Sequence, residues 1–326
     1  MPDASTAARP FGAVLTAMVT PMTADGGIDF DAAVRLATHL VDAGNDGLVL
    51  NGTTGEAPTT HAPEKAELVT AVVEAVGDRA FVVAGAGSND TLHAVRMAEQ
   101  AAQAGAHGLL VVSPYYSRPS QAGLAAHIET VASATDLPVI VYDIPGRAGV
   151  RIAPATFARL AAHPRIVGVK DAAGDVYGST KVMRDTGLVY YAGDDGMFLA
   201  LLAAGGVGVI SVAGHVVTPL FARVVRCWET GDAAGALAAF RAAAPAIDAL
   251  NGAGQQAATT KAALEMLGLI PCRATRLPVA PLPDDELPAL RAGLVAAGAI
   301  APAPAGVVAP GPDDDPPAPR PHPVAG

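Results

Sequence analysis

Short apolar segments recur at regular intervals through the first two thirds of the chain. Most of them are unbroken rather than alternating, which is the pattern of strands buried on both faces of a parallel sheet. This pattern predicts eight strands, at residues 13–19, 47–51, 80–85, 108–112, 138–142, 166–170, 188–192 and 207–212.

The segments between these strands place apolar residues at helical spacing and carry the signals of helix ends. The first begins at Asp29 or Asp31, whose side chains can cap a helix, and is closed by Gly44. The next begins with Pro63, a residue favoured in the first helical turn, and ends before Gly77. We therefore predict helices at residues 29–43, 63–76, 90–104 and 121–134.

Eight strands that alternate with helices predict a parallel α/β fold, either an open doubly wound sheet or a closed barrel. The doubly wound sheet usually carries a glycine-rich fingerprint after its first strand. Here the first strand is followed by Thr20, Pro21 and Met22 without such a loop. The count of eight favours a (β/α)8 TIM barrel.

The pattern changes after the eighth strand. From about residue 219 to residue 298 it is helical, and from residue 302 the chain consists mainly of Pro, Ala, Gly and Asp. We expect an N-terminal arm at residues 1–10, the barrel at 11–225, a small C-terminal helical region at 226–300 and a disordered tail at 301–326.

Composition excludes several classes of partner. The 326 residues have a formal net charge of −10 and no basic stripe, which argues against nucleic-acid binding. We find no apolar run near membrane-spanning length and no signal-peptide pattern, so we expect no membrane partner. The two cysteines are interpreted as core thiols in a reducing cytoplasm. The scattered histidines predict no metal site.

Lys170 is the residue that the barrel hypothesis marks most strongly. Active sites of such barrels lie at the carboxyl ends of the strands. Of the four lysines, Lys65, Lys170, Lys181 and Lys261, only Lys170 ends a buried run, whereas Lys65 is predicted on a solvated helix face. Burial lowers a lysine pKa and frees the amine to form an imine with a carbonyl. The alternative is a structural ion pair with Asp171 or Asp194.

Three other predicted strand ends carry polar residues. After the second strand, the loop Gly52-Thr53-Thr54-Gly55-Glu56 offers amides and hydroxyls that could hold a carboxylate, although a plain polar turn explains it equally well. After the fourth come Tyr115 and Tyr116, which in an extended segment would point opposite ways, so that one could face the site and the other a neighbouring subunit. The alternative is a loop that packs its aromatic side chains.

The fifth strand ends at Tyr142, which could relay protons, and Arg147 follows it with a guanidinium suited to a carboxylate. The glycine-rich eighth run, from Gly205 to Ser211, is interpreted as leaving room for a ligand beside Lys170.

Three motifs together resemble the dihydrodipicolinate synthase and N-acetylneuraminate lyase superfamily of class I aldolases. They are Gly52-Thr53-Thr54-Gly55-Glu56, the stretch from Tyr142 to Gly149, and Gly168-Val169-Lys170-Asp171, and the resemblance covers about residues 11–294. Within the superfamily, Pro114-Tyr115-Tyr116 and Arg147 resemble the dihydrodipicolinate synthase branch most closely.

The resemblance implies a role for each residue of these motifs. Lys170 would form the imine with pyruvate, and Tyr142 would be the central proton carrier. Thr53 would link Tyr142 to Tyr116, with the neighbouring tyrosine supplied by an adjacent subunit, so that a homotetramer is expected. Thr54, with the Gly52 loop, would hold the pyruvate carboxylate.

Two further residues complete the implied site. Arg147 would bind the carboxylate of the second substrate, and Ile210 would place its backbone carbonyl near the lysine. The implied reaction condenses pyruvate with L-aspartate 4-semialdehyde, in lysine and diaminopimelate biosynthesis, with no cofactor beyond the covalent imine at Lys170. The alternatives are a pyruvate-dependent aldolase or dehydratase acting on a sugar acid, and a non-catalytic barrel that binds a small acid.

The chain departs from the family pattern in three places. Asp143 replaces the commoner asparagine, and we expect it to take no part in the chemistry. Residues 255–261 lack an Asn-Pro element found in many relatives, which puts the tetramer contacts of that segment in doubt. Ala62, Lys65 and His93 stand where feedback-regulated relatives often carry the polar or acidic ligands of lysine.

Overall fold

A closed barrel of eight parallel strands forms the body of the protein. The computed structural model describes residues 9–252 and 255–302. The strands pair in chain order, and the last pairs with the first, so the sheet has no free edge. They are β1 (Val14–Ala17), β2 (Gly47–Leu50), β3 (Phe81–Gly85), β4 (Gly108–Val112), β5 (Val139–Asp143), β6 (Ile166–Asp171), β7 (Val189–Ala192) and β8 (Gly208–Ser211). The predicted barrel is confirmed, and both ends of every strand lie within two residues of their predicted positions.

Helices follow the strands and surround the barrel. They are α1 (Phe30–Asp42), α2 (Ala62–Val76), α3 (Thr91–Gln103), α4 (Gln121–Ala132), α5 (Pro145–Ala148), α6 (Pro154–Leu160), α7 (Val176–Thr186) and α8 (Phe198–Ala203). Of the two acids proposed to cap α1, Asp29 does so, because its side chain accepts a hydrogen bond from the amide of Ala32 at 2.8 Å.

The strands separate two apolar layers, because successive side chains point to opposite faces of a sheet. The layer between strands and helices is the larger. The barrel interior holds Phe11, Leu15, Ala17, Val49, Val83, Leu110, Ile140, Tyr142, Tyr191, Val207 and Ile210. On β5 this alternation places Tyr142 inside the barrel. Asp143, the next residue, takes the opposite face, where it accepts a hydrogen bond from the amide of Ile152.

Four helices follow β8: α9 (Gly214–Glu229), α10 (Ala233–Asn251), α11 (Gln256–Met266) and α12 (Leu287–Ala296). The expectation of a continuous helical pattern is wrong between residues 267 and 283, which form no helix. Prolines at 271, 278, 281 and 283 account for this difference, because proline cannot donate the helical hydrogen bond.

The proposed division into barrel and helical region remains a prediction. Its boundary at residues 225 and 226 lies inside α9, a helix that also packs on β1. Residues 1–8 of the proposed arm and residues 303–326 of the proposed tail lie outside the described residues.

By length and composition, α10 could cross a membrane, and it is the one such helix among the described residues. The expectation that no apolar run approaches spanning length was therefore wrong. Helices packed inside a protein pass the same test. Here α10 packs along α9 and α12 and buries Ala236, Ala239, Ala243, Ala246, Ile247 and Leu250.

Candidate active site

Lys170 and Tyr142 lie side by side at the carboxyl ends of neighbouring strands. The parallel register of β5 and β6 pairs Tyr142 directly with Lys170. The Lys170 Nζ atom lies 4.3 Å from the centre of the Tyr142 ring. Both side chains are 5% exposed. The sequence placed both residues at strand ends, and the closed sheet brings them into contact.

Burial changes the protonation of Lys170. Loss of hydration lowers the pKa of its ammonium to about 8, while the negative charge of Asp195 acts in the opposite direction and Arg147 assists the lowering. At neutral pH roughly one molecule in ten then carries a free amine, a far larger share than for a solvated lysine. The site therefore supplies a nucleophilic amine at neutral pH.

The acidic neighbour of Lys170 is Asp195, rather than the Asp171 or Asp194 considered from the sequence. Asp171 accepts hydrogen bonds from the Ser179 hydroxyl at 2.5 Å and from the amide of Ala173 at 2.9 Å. Asp195 follows β7, is 2% exposed, and acts on Lys170 through its charge. No direct ion pair joins Lys170 to an acid within the described part of the chain, so its amine is not held in a structural salt bridge.

Tyr142 is held in its neutral form. Burial raises the pKa of its hydroxyl to about 12, although Arg147 and the side chain of Thr53 both favour the phenolate. Thr53 thus lies next to the tyrosine hydroxyl, as the proposed relay requires. A neutral hydroxyl with a threonine neighbour can both donate and accept a proton during a reaction.

Gly193 provides the close approach to Lys170. A Cβ atom at this position would lie 2.9 Å from the Lys170 Cγ atom and 3.0 Å from the Asp171 carbonyl oxygen. Gly208, in the eighth run, does not have the role proposed for that run. A Cβ at Gly208 would lie 2.0 Å from the carbonyl oxygen of Ala13, at the amino end of β8, so Gly208 serves strand packing.

A cavity of about 610 Å³ opens at this end of the barrel. Five of the residues proposed from the sequence line it: Gly52, Thr53, Tyr116, Tyr142 and Arg147. The other three, Lys170, Thr54 and Ile210, are buried and do not contribute to its lining. Ile210 packs with Tyr142 in the barrel interior.

The loops after β2 and β4 contain strained backbone. Asn51, Glu56, Tyr116 and Arg118 have φ values of +55°, +57°, +72° and +47°. They are the only non-glycine residues with positive φ in the ranges that the structure describes. Tyr116 therefore does not lie in the extended segment assumed from the sequence, and its side chain is 90% exposed. Strain of this kind persists where the surrounding structure enforces it, most often at functional sites.

Lys65 does not lie on a solvated helix face, which corrects the sequence interpretation. It lines the cavity, and its Nζ atom donates a hydrogen bond to the Ala57 carbonyl at 2.7 Å. Burial lowers its pKa. Lys65 is thus a lysine that lines the cavity directly, and a test of the Schiff-base lysine must distinguish it from the buried Lys170.

His215 is engaged in hydrogen bonds within the protein. His215 lies in the first turn of α9, where its Nε2 accepts a hydrogen bond from the amide of Val19 at 3.0 Å and its Nδ1 lies 2.8 Å from the Val212 carbonyl oxygen. Burial lowers its pKa to about 4, so it is neutral. Groups of three potential metal ligands are absent from residues 9–252 and 255–302.

A buried ion pair that the sequence did not reveal anchors the Thr53 loop. Glu56 ends the loop and pairs with Lys261 of α11, and both side chains are almost completely buried. The Lys261 Nζ atom also donates to the carbonyl of Ala274 at 2.8 Å, and the Arg276 amide donates to the second Glu56 oxygen at 2.8 Å. The C-terminal helical region thereby holds the loop that carries Thr53 and Thr54.

Replacing Lys261 with methionine should strongly destabilise the fold. The change leaves Glu56 as an unpaired buried charge, which costs about 3–5 kcal/mol. The thermal midpoint should fall by roughly 5–15 °C. Lys181→Met serves as the control, because Lys181 is exposed and should change stability by less than about 0.5 kcal/mol. Equal midpoints for Lys261→Met and the parent protein would show that the pair contributes no stability.

Comparison with known proteins identifies the family. The profile of the Dihydrodipicolinate synthetase family matches residues 10–297. A relative from Kineococcus radiotolerans, named 4-hydroxy-tetrahydrodipicolinate synthase, is 51% identical over 306 residues, covering 93% of this chain and 99% of the relative.

Solved structures give the same result. The lysine-bound crystal structure of DHDPS from Cyanidioschyzon merolae superposes with a TM-score of 0.87 at 37% identity, covering 90% of this chain and all of that one. The chloride-inhibited dihydrodipicolinate synthase from Acinetobacter baumannii, complexed with pyruvate, gives 0.85 at 33% identity, covering 89% and 100%. With a family match over nearly all described residues and a relative at half identity, this chain belongs to the dihydrodipicolinate synthetase family.

Proposed function

We propose that this protein is a lyase that condenses pyruvate with L-aspartate 4-semialdehyde to give 4-hydroxy-tetrahydrodipicolinate. The observation that carries the proposal is the buried Lys170 amine, 4.3 Å from the Tyr142 ring centre, at the mouth of a TIM barrel of this family. The name of the Kineococcus relative supports this reaction, and the pyruvate complex of the Acinetobacter enzyme supports the first substrate.

The first half of the reaction uses Lys170 and Tyr142. The neutral Lys170 amine attacks C2 of pyruvate, and the resulting carbinolamine loses water to form the imine. Tyr142 carries the protons that the departing hydroxyl needs and the amine releases, with Thr53 as its partner.

The second half of the reaction forms the new bonds. Removal of a proton from the pyruvate methyl group gives an enamine, whose carbon attacks the aldehyde of the second substrate. The amine of that substrate then displaces Lys170 from C2, which closes the ring and frees the lysine.

The remaining proposed residues bind the two carboxylates. Thr54 and the Gly52 loop hold the pyruvate carboxylate, and the Ile210 carbonyl lies near the lysine. Arg147, exposed on α5 and lining the cavity, binds the carboxylate of the aspartate semialdehyde. Apart from the covalent imine the reaction needs no cofactor. We propose a cytoplasmic location for it.

A substrate panel tests this function. Purified protein should consume pyruvate far faster with aspartate semialdehyde than with sugar-acid aldehydes. The reaction is measured by the appearance of the ring product. Turnover confined to a sugar acid would make the protein another pyruvate-dependent aldolase. Binding of pyruvate without trapping by borohydride would make it a non-catalytic barrel.

Tyr116 supports an oligomer in which one subunit completes its neighbour's site. Its side chain is 90% exposed although it lines the cavity. A tyrosine held out in solvent by a left-handed backbone is suited to enter an adjacent site, and the proposed assembly is a homotetramer.

Mixed oligomers test the shared site. Chains carrying Lys170→Ala and chains carrying Tyr116→Phe should each be inactive, but random co-assembly should restore roughly a quarter of the sites. Activity of co-expressed, doubly tagged oligomers measures this. The control mixes Lys170→Ala with Tyr142→Phe, which alter the same site and should not complement. Equal activity of both mixtures would place Tyr116 in its own chain's site.

Inhibition by lysine should be weak. The Cyanidioschyzon structure shows a relative with lysine bound. By position in the family, Lys65 stands where sensitive members often carry a histidine, and His93 where they often carry a glutamate. Both line the cavity here. A cationic Lys65 repels the ammonium groups of the effector, and His93 supplies no fixed negative charge.

A lysine titration measures this. We expect no half-inhibition below millimolar lysine. Lys65→His combined with His93→Glu should increase sensitivity, since the double change removes the cation and adds an acid. Half-inhibition of the unaltered protein at submillimolar lysine would contradict this interpretation of Lys65 and His93.

A further inference from the structure

A chain of side-chain hydrogen bonds runs from Arg147 to Asp195 through the C-terminal helices. Arg147 Nη2 lies 3.5 Å from the Gln256 Oε1 atom at the start of α11. Gln256 Nε2 donates to the Asn251 Oδ1 atom at 2.8 Å, and Asn251 Nδ2, at the end of α10, donates to Asp195 Oδ2 at 3.1 Å. The side-chain amides of Gln256 and Asn251 thus connect Arg147, which lines the cavity, to Asp195, whose charge acts on Lys170.

The two ends of this chain are the charged groups that act on Lys170. The positive charge of Arg147 favours the free amine, and the negative charge of Asp195 favours the ammonium. The other groups close to Lys170 are the Tyr142 ring and, beyond it, Thr53 and Asp194, which act on the Tyr142 hydroxyl.

Asp195 depends on donors from other elements. Its Oδ2 atom accepts the amides of Val212 and Ala213 at 3.2 and 2.8 Å in addition to Asn251, and the Ser211 hydroxyl also favours its charged form. Its Oδ1 atom is buried without a hydrogen-bond partner among the described residues. Burial raises the pKa of this carboxyl, and each of these donors acts in the opposite direction, in favour of the charged form.

We propose that Gln256 and Asn251 are positioning residues, Gln256 orienting Arg147 for the carboxylate of the second substrate and Asn251 keeping Asp195 charged beside Lys170. The inference rests on the proposed function for the role of Arg147. It gives the segment that lacks the Asn-Pro element of many relatives a task in the active site.

Physical chemistry favours this assignment over simple packing. An exposed arginine samples many rotamers, and an acceptor on a helix restricts it to those that face the cavity. A bond of 3.5 Å is long in the free site, and such contacts often shorten when substrate binds. Asn251 has both polar groups engaged, so its orientation is set from both sides.

The first test is Gln256→Met, which keeps the side-chain volume and removes both hydrogen bonds. KM for aspartate semialdehyde should rise roughly three- to tenfold, the effect of losing one modest hydrogen bond, while KM for pyruvate stays unchanged. The matched control is Gln255→Met, since Gln255 is the adjacent exposed glutamine and should leave both constants unchanged. An unchanged KM in Gln256→Met, or equal effects in both variants, would overturn the role of Gln256.

The second test is the pH dependence of imine formation in Asn251→Ala. The trapping rate with pyruvate should rise with pH as Lys170 loses its proton, with a midpoint near its pKa of about 8. Without Asn251, the carboxylate of Asp195 loses a hydrogen bond that favours its charged form, the ammonium of Lys170 is less favoured, and the midpoint should move to lower pH by roughly 0.3–1 unit. A merely structural role would lower rates without moving the midpoint. An unmoved or raised midpoint would overturn the role of Asn251.

Failure of this inference is distinguishable from failure of the proposed function. If the unaltered protein turns over aspartate semialdehyde but the variants behave like Gln255→Met, only the positioning roles are wrong. If the unaltered protein does not turn over aspartate semialdehyde, the proposed function is wrong, and the role of Gln256 is overturned with it.

Discussion

Replacing Lys170 with alanine is expected to lower kcat by roughly 10⁴–10⁶-fold or more, because the covalent route then has no nucleophile. Lys170 is the lysine at a strand end in the barrel mouth, next to Tyr142 and subject to the charge of Asp195. Steady-state kinetics with pyruvate and aspartate semialdehyde measure the loss. Lys170→Met should be equally inactive, since it fills the space without an amine.

Two comparisons make the Lys170 result specific. Lys181→Met removes an exposed lysine and should leave kcat unchanged. Circular dichroism should show that Lys170→Ala retains the fold, because deleting a buried cation removes an unfavourable desolvation. Residual activity within tenfold of the parent protein would show that catalysis does not pass through Lys170.

Tyr142→Phe is expected to lower kcat by about 10²–10⁴-fold while the fold persists. The variant removes a hydroxyl whose raised pKa keeps it able to donate a proton and whose neighbour, Thr53, continues the relay. The loss should appear in kcat more than in KM, because the hydroxyl acts on the reacting atoms rather than on remote binding.

Tyr191→Phe is the matched control for Tyr142. Tyr191 also lies buried in the barrel interior, but its hydroxyl donates to the Gly12 carbonyl at 3.0 Å. Its loss should cost about 0.5–1.5 kcal/mol of stability and leave kcat nearly unchanged. Similar kcat values for the Tyr142→Phe variant and the parent protein would contradict the proton-carrier role.

The barrel could be predicted because the signals that define it are local. Each strand is a short apolar run between turn residues, and strands buried on both faces need no alternation to be seen. Lys170 could be located for the same reason, since the end of a buried run is visible in the sequence and barrel active sites lie at that end.

Burial of polar side chains by distant parts of the chain could not be predicted. Lys261 looks like an ordinary helical lysine until Glu56, far away in sequence, is seen to pair with it. Lys65 follows Glu64 on a helix, yet its side chain turns into the cavity towards Ala57. The signal that could have marked Lys261 is its place in a run of small, uncharged residues on α11.

The polar chain from Arg147 to Asp195 was missed for a similar reason. Its four members lie on α5, on α10 and α11, and after β7, and only the closed barrel brings them together. Asn251 and Gln256 are polar residues of the kind found at helix ends, so nothing in the sequence indicates that they have a function. In the sequence, the missing Asn-Pro element pointed to tetramer contacts, whereas the structure connects the same segment to the active site.

The most direct measurement of the central claim is borohydride trapping of the protein with pyruvate, followed by peptide mapping. One pyruvate-derived adduct per chain is expected, on the peptide that carries Lys170. Lys65 makes the test demanding, because its partly buried side chain lines the cavity, whereas that of Lys170 does not, and its pKa is also lowered. An adduct on Lys65, Lys181 or Lys261, or no adduct in a protein that turns over its substrates, would contradict the assignment of Lys170 as the Schiff-base lysine.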